Sequence, residues 1–195
     1  MKKTLTVVLA LGMLAACAQA QSWVKKAEKE PVKTKGWLTD FEQAKKEAET
    51  FKQPIFAFFT GSDWCGWCMR LKKEALDTRE FEKFATDNLI LFEADFPQGK
   101  ELKRAVKEQN EALAKKYGVR GYPSVFLLDA SGKQLGQTGY KEGGADAYVK
   151  HLKELLDQAG VKTADSKAGA GKPLSAYEKM KAEKAAKTAQ PEEAK

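Results

Sequence analysis

Ile55-Phe56-Ala57-Phe58-Phe59 is the segment that most restricts the fold. Five consecutive apolar residues leave no polar face to turn towards water. As a strand, such a run needs cover on both faces, which is the situation of a central strand in a sheet sandwiched between helices. Pro54 before it and Gly61-Ser62-Asp63 after it hold it to strand length.

The neighbouring segments supply that cover. Thr39-Asp40-Phe41-Glu42 fits a capping box, and Phe41, Ala44, Ala48 and Phe51 follow at helical spacing. Residues 69–76 read as a helix, and Thr78 caps another that carries Phe81, Phe84 and Ala85. A second strand is predicted over 89–95, a charged amphipathic helix over 102–117, a third strand over 124–128 and a fourth over 134–138. Asp129-Ala130-Ser131-Gly132 supplies the hairpin turn between the last two. Residues 145–159 close with Tyr148, Val149, Leu152, Leu155 and Leu156 on one helical stripe. The order α-β-α-α-β-α-β-β-α predicts an α/β sandwich: a central mixed sheet of four or five strands, parallel at first and then joined to a hairpin, flanked by helices.

The ends of the 195-residue chain are different. Residues 1–20 read as a signal peptide: Lys2 and Lys3 form a cationic start, and residues 4–16 are uncharged and too short to span a bilayer. Two processing sites compete. Ala18-Gln19-Ala20 would release a soluble chain from Gln21. Leu14-Ala15-Ala16-Cys17 resembles a bacterial lipobox, which would lipidate Cys17 and anchor the protein to a membrane. Either route predicts export, to the periplasm in a bacterium, where disulfides persist. Residues 21–35, rich in lysine, read as a tether. Residues 161–195, rich in Ala, Lys and Glu, read as a disordered or marginally helical tail. The net charge of +7 is spread along the chain; residues 21–160 hold 24 basic and 22 acidic side chains, which excludes the concentrated cationic face of a nucleic-acid-binding domain.

Chemistry concentrates at Trp64-Cys65-Gly66-Trp67-Cys68. A thiol at a helix start meets unpaired N–H groups, which favour its thiolate. The thiolate is the attacking form in disulfide exchange. Cys65 is therefore expected to be the nucleophile and Cys68, one turn on, the resolving thiol. Gly66 is expected to permit a tight helix entry, with Trp64 and Trp67 flanking the pair. Zinc needs about four ligands, and only Cys17 and His151 remain as further soft donors. Haem attachment needs His after the second Cys, where this chain has Met69. No metal or other cofactor is expected. A purely structural disulfide would close too small a loop to remove much unfolded-state entropy.

A strand leading into these residues, with Gly121-Tyr122-Pro123-Ser124 just before another apolar strand, resembles the thioredoxin superfamily. Thr60-Gly61-Ser62-Asp63-Trp64-Cys65 and Glu93-Ala94-Asp95-Phe96-Pro97 are similar to secreted bacterial thioredoxin-like proteins. The resemblance covers residues 36–160. It implies a thioredoxin-like fold, a cis Pro123 lying against the disulfide, and a substrate groove formed by Trp64, Gly66, Trp67, Tyr122 and Pro123. It also implies a monomer acting on cysteine-containing proteins, recharged by a separate redox partner. Two departures stand out. Residues 55–59 lack the acid that thioredoxin places there to deprotonate the resolving thiol, which leaves Asp63 and Glu93 as candidate proton relays. Trp67 brings no charge to the thiolate, so the direction of electron flow stays open. The functional expectation is an exported thiol–disulfide oxidoreductase. The alternative is a non-catalytic binding module that holds a partner protein or a soft metal.

Overall fold

The computed structural model describes residues 31–164. The leader with Cys17, most of the tether and nearly all of the tail lie outside the described residues. The folded unit begins at Thr34. Its helices are α1 (Phe41–Phe51), α2 (Gly66–Leu71), α3 (Arg79–Asn88), α4 (Arg104–Tyr117) and α5 (Gly144–Gln158). Its strands are β1 (Ile55–Thr60), β2 (Ile90–Asp95), β3 (Ser124–Leu128) and β4 (Gln134–Thr138), in the order β2-β1-β3-β4. β1 pairs parallel with β2 and antiparallel with β3, and β3 pairs antiparallel with β4. This is the expected mixed sheet, and it has four strands.

β1 is buried along its whole length, as its unbroken apolar composition requires. Alternate side chains feed two cores. Phe56 and Phe58 join Cys65, Cys68 and Leu71 of α2, Phe81 and Phe84 of α3, and Tyr148, Leu152 and Leu156 of α5. Ile55, Ala57 and Phe59 point the other way, to Phe41, Ala44 and Ala48 of α1 and Leu113 of α4. Each fully buried aromatic contributes about 1.5–3 kcal/mol, so both faces of β1 drive folding. Among the described residues, no helix is long and apolar enough to cross a membrane.

Local signals explain most boundaries. Thr78 caps α3, its hydroxyl accepting from the Phe81 N–H at 3.3 Å. Asp129 makes the hairpin turn: its carboxylate accepts from the N–H groups of Ser131 and Lys133, and Gly132 takes φ +82°. At α1 the cap is Asp40 rather than Thr39; Asp40 is extended, and its carboxylate accepts from Gln43 N–H at 3.0 Å. Glu42 pairs instead with Lys45, so the Thr39–Glu42 capping box does not form. The helix expected to start at the cysteine pair and continue through 69–76 begins at Gly66, with Cys65 as its cap, and ends in one π turn, Lys72–Leu76.

Candidate active site

The end of β1 delivers the site. The chain turns at Gly61, whose carbonyl accepts from the N–H groups of Trp64 (3.3 Å) and Cys65 (2.9 Å). Cys65 then caps α2 in an extended conformation. Cys65 and Cys68 form a disulfide with their Cα atoms 5.2 Å apart. Cys65 Sγ accepts a hydrogen bond from the Cys68 N–H at 3.2 Å. The same N–H would face a thiolate in the reduced protein and favour its charge. Both cysteines are buried, Cys65 with 6% of its surface exposed and Cys68 with 1%.

Aromatic side chains frame the disulfide. Among the described residues of the folded unit, Trp64 (41% exposed), Trp67 (56%) and Met69 are the large apolar side chains left open to solvent. Trp64 donates its indole N–H to the Phe96 carbonyl at 2.7 Å and meets Tyr122 edge-on, ring centres 5.6 Å apart. Phe96 packs on the same Tyr122 ring. The Tyr122–Pro123 bond is cis. Tyr122 packs on the core that contains both cysteines and against Trp64, the residue before Cys65. On the far side Trp67 lies against Tyr140, ring centres 5.1 Å apart. Gly66 has neither a left-handed backbone nor any neighbour within 4 Å of where a Cβ would stand. The helix entry therefore does not require glycine there, and the surface above residue 66 is open.

The two candidate proton relays are placed very differently. Asp63 is exposed, and its carboxylate accepts from the N–H groups of Gln98 (3.0 Å) and Gly99 (2.6 Å). Those bonds hold its carboxyl below the ordinary range. Asp63 thus ties the loop after β2 to the active-site turn. Glu93 lies in register with Phe58 and shares a sheet face with Leu91, which packs on the core holding the cysteines. Burial pushes its carboxyl up, and the Lys72 charge opposes the shift in part.

Several residues of the frame went unnoticed in the sequence. Asp95 accepts from the Ser62 N–H (2.9 Å) and hydroxyl (2.7 Å) and pairs with Lys100 at 3.0 Å. These contacts follow from the parallel pairing that sets Thr60 beside Asp95. Arg70, Glu74 and Tyr140 form a second group; the i,i+4 spacing of Arg70 and Glu74 was a visible signal for one of its bonds.

A family model described as a thioredoxin-like domain matches residues 41–156. The disulfide bond reductase DsbH of Chlamydia pneumoniae is 38% identical over 116 residues, covering 60% of this chain and 70% of that one. The thioredoxin-related protein DsbJ of the same organism is 26% identical over 130 residues, covering 63% of this chain and 37% of its own length. A solved structure of the DsbH oxidoreductase aligns with a TM-score of 0.61 at 33% identity, covering 68% of this chain and 97% of that one. A buried disulfide at the start of α2, a cis Tyr122–Pro123 bond and these similarities converge: the chain belongs to the thioredoxin-like domain family, among the thiol–disulfide oxidoreductases.

Proposed function

We propose that this protein is an exported thiol–disulfide oxidoreductase that reduces disulfides in proteins through Cys65 and Cys68. The observation that carries the reading is the Cys65–Cys68 disulfide, with Cys65 Sγ capping α2 and exposed tryptophans on either side. The reducing direction is supported by similarity to a disulfide bond reductase at 38% identity. Export is supported by the leader-like residues 1–20.

In the reduced enzyme the Cys65 thiolate attacks one sulfur of a substrate disulfide. A new S–S bond forms, the substrate S–S bond breaks, and the leaving thiolate takes up a proton. Cys68 then loses its proton, and its thiolate attacks Cys65 Sγ. This closes the Cys65–Cys68 bond and releases the second substrate thiol. Two electrons have passed to the substrate, and a dithiol donor must return them. Trp64, Trp67, Tyr122 and Pro123 line the approach to Cys65, with open space above Gly66. Glu93 is the better placed of the two acids to receive the Cys68 proton. Its raised carboxyl lies closer to neutrality, and it shares the core face of Cys68, whereas Asp63 is occupied by two loop N–H groups.

The test is insulin reduction with dithiothreitol as the donor. Wild-type protein should accelerate precipitation of the free B chain, and Cys65→Ser should abolish the acceleration. No acceleration by the wild type would overturn the reading. Mass spectrometry of the mature N-terminus tests export: cleavage before Cys17 with diacylation, or before Gln21, supports it, and an intact Met1 overturns it.

A further inference from the structure

Trp67 is more than half exposed, yet two side chains, Arg70 and Tyr140, pack on it. The Arg70 guanidinium lies 5.4 Å from its ring centre and 5.2 Å from that of Tyr140, so one cation touches both rings. Arg70 Nε donates to Glu74 Oε1 at 2.7 Å. The Tyr140 hydroxyl donates to Glu74 Oε2 at 2.6 Å. Both oxygens of one carboxylate are therefore used, one by each group that touches Trp67. The circuit runs Trp67–Arg70–Glu74–Tyr140–Trp67 and joins α2 to the loop after β4. The electrostatics are consistent: Glu74 is held below the usual carboxylate range by its two donors, and Arg70 and Tyr140 are both shifted up by Glu74.

Tyr140 is not placed there by chance. The β3–β4 register sets Val125 opposite Thr138 and so carries Tyr140 to the sheet end where Pro123 lies. A Cβ at Gly139 would stand 3.0 Å from the Pro123 carbonyl oxygen, which shows how closely the two segments meet. The circuit thus braces one side of the disulfide against the cis-proline loop. The Arg70 charge is cancelled by Glu74, so the braced wall presents an apolar ring.

We propose that the Arg70–Glu74–Tyr140 circuit is a positioning device that fixes Trp67 as an apolar wall, selecting substrates with a large apolar side chain next to the reacting cysteine. The inference rests on the oxidoreductase reading. A substrate sulfur that reaches Cys65 must bring its neighbouring residue down between Trp64 and Trp67. A fixed ring accepts an apolar neighbour without first losing its own rotational freedom. Arg70, Glu74 and Tyr140 do not touch the reacting sulfurs in this account; they act through Trp67.

The experiment compares wild type, Glu74→Ala and Tyr140→Phe on three probes. These are a disulfide-linked peptide with Leu beside its cysteine, the same peptide with Ser there, and a small hydroxyalkyl disulfide with no peptide. Glu74→Ala removes the acceptor for both donors, whereas Tyr140→Phe keeps the ring and removes one bond. In wild type the Leu peptide should show the lower KM. In Glu74→Ala its KM should rise about 3- to 10-fold with kcat within twofold, while the Ser peptide and the small disulfide are unchanged. Tyr140→Phe should fall between. The near-UV circular dichroism of Trp67, isolated as the difference from Trp67→Phe, should shrink in the same order. Equal KM for the two peptides in wild type, or a Glu74→Ala loss shared by all three probes, would overturn the proposal. A wild type inactive on every probe would overturn the oxidoreductase reading itself, and the proposal with it.

Discussion

Gly61 offers a quantitative test of how Trp64 is held. A Cβ added there would lie 2.3 Å from Trp64 Cε2, 2.5 Å from Nε1 and 2.7 Å from Cζ2. No such separation is tolerated, and Gly61 does not use a left-handed backbone, so the closest conflict in Gly61→Ala is with the indole. The ring must leave. It then loses the 2.7 Å hydrogen bond to the Phe96 carbonyl and the edge contact with Tyr122. The hydrogen bond is worth about 1 kcal/mol net. The aromatic contact adds about 1 kcal/mol. Against that loss of about 2 kcal/mol, replacing Gly by Ala stiffens the unfolded chain and returns about 0.7 kcal/mol. The net expectation is a destabilisation of about 1 kcal/mol, or a fall in Tm of about 4 °C for a domain of this size.

A double-mutant cycle isolates the cause. Stability of wild type, Gly61→Ala, Trp64→Ala and the double variant is measured by urea unfolding, followed by far-UV circular dichroism. In the Trp64→Ala background there is no ring to displace, so Gly61→Ala should become neutral or slightly stabilising. The coupling should reach about 2 kcal/mol. Additive effects, with coupling below about 0.5 kcal/mol, would refute the claim that Gly61 exists to seat Trp64. The insulin assay should follow the same pattern, because Trp64 borders Cys65.

Reduced protein should alkylate first at Cys65 near neutral pH. Cys68→Ser should accumulate a mixed disulfide with substrate, and Cys65→Ser none; mass spectrometry showing the reverse would exchange the two roles. Asp63→Asn should lower stability at neutral pH by weakening the bonds to Gln98 and Gly99 N–H. The Asp63 carboxyl is depressed in the folded state, so its stabilisation is present above the ordinary carboxylate range and is lost as pH falls through the folded value; the gap from wild type in a urea titration should close in acid. Glu93 has the opposite sign. Its folded carboxyl is raised, so it costs nothing at low pH, where it is protonated in both states, and grows unfavourable as pH rises through the folded value. Glu93→Gln should therefore be more stable than wild type at pH 7, with the advantage fading towards pH 4, and should release substrate from the mixed disulfide more slowly. An unchanged release rate would remove Glu93 from proton transfer.

Patterns local to one element were legible. The apolar run of β1, the Thr78 cap, the Asp129 turn and the cysteine pair each act within a few residues, and the structure keeps all of them. At α1 two adjacent residues, Thr39 and Asp40, could both cap; backbone geometry chose Asp40, and spacing alone does not encode that choice. The start of the fourth helix moved from 102 to Arg104 because Gln98, Gly99 and Lys100 belong to a loop held by Asp63 and Asp95. The π turn at Lys72–Leu76 has no marker in the residues that form it. Tyr140 was unreadable for a different reason. Its partners are 66 and 73 positions away, and only the β3–β4 register brings them together.

The missing acid in β1 has a physical explanation in the same geometry. Every β1 side chain is fully buried, with strands on both edges and helices over both faces. Phe58, on the face that holds Cys65 and Cys68, is fully enclosed and lies near Trp37, ring centres 5.8 Å apart. A carboxylate in that strand would lose its water on all sides, at a cost of several kcal/mol without a partner. β2 is different. Its buried and half-buried residues alternate, and among the described residues its outer edge meets a single bridge, Leu38 to Phe92. Glu93 therefore keeps partial access to water and feels Lys72. Burial raises the carboxyl at this position, and the Lys72 charge still favours its ionised form. In this chain β1 is given over to apolar packing, and the half-buried neighbouring strand carries Glu93.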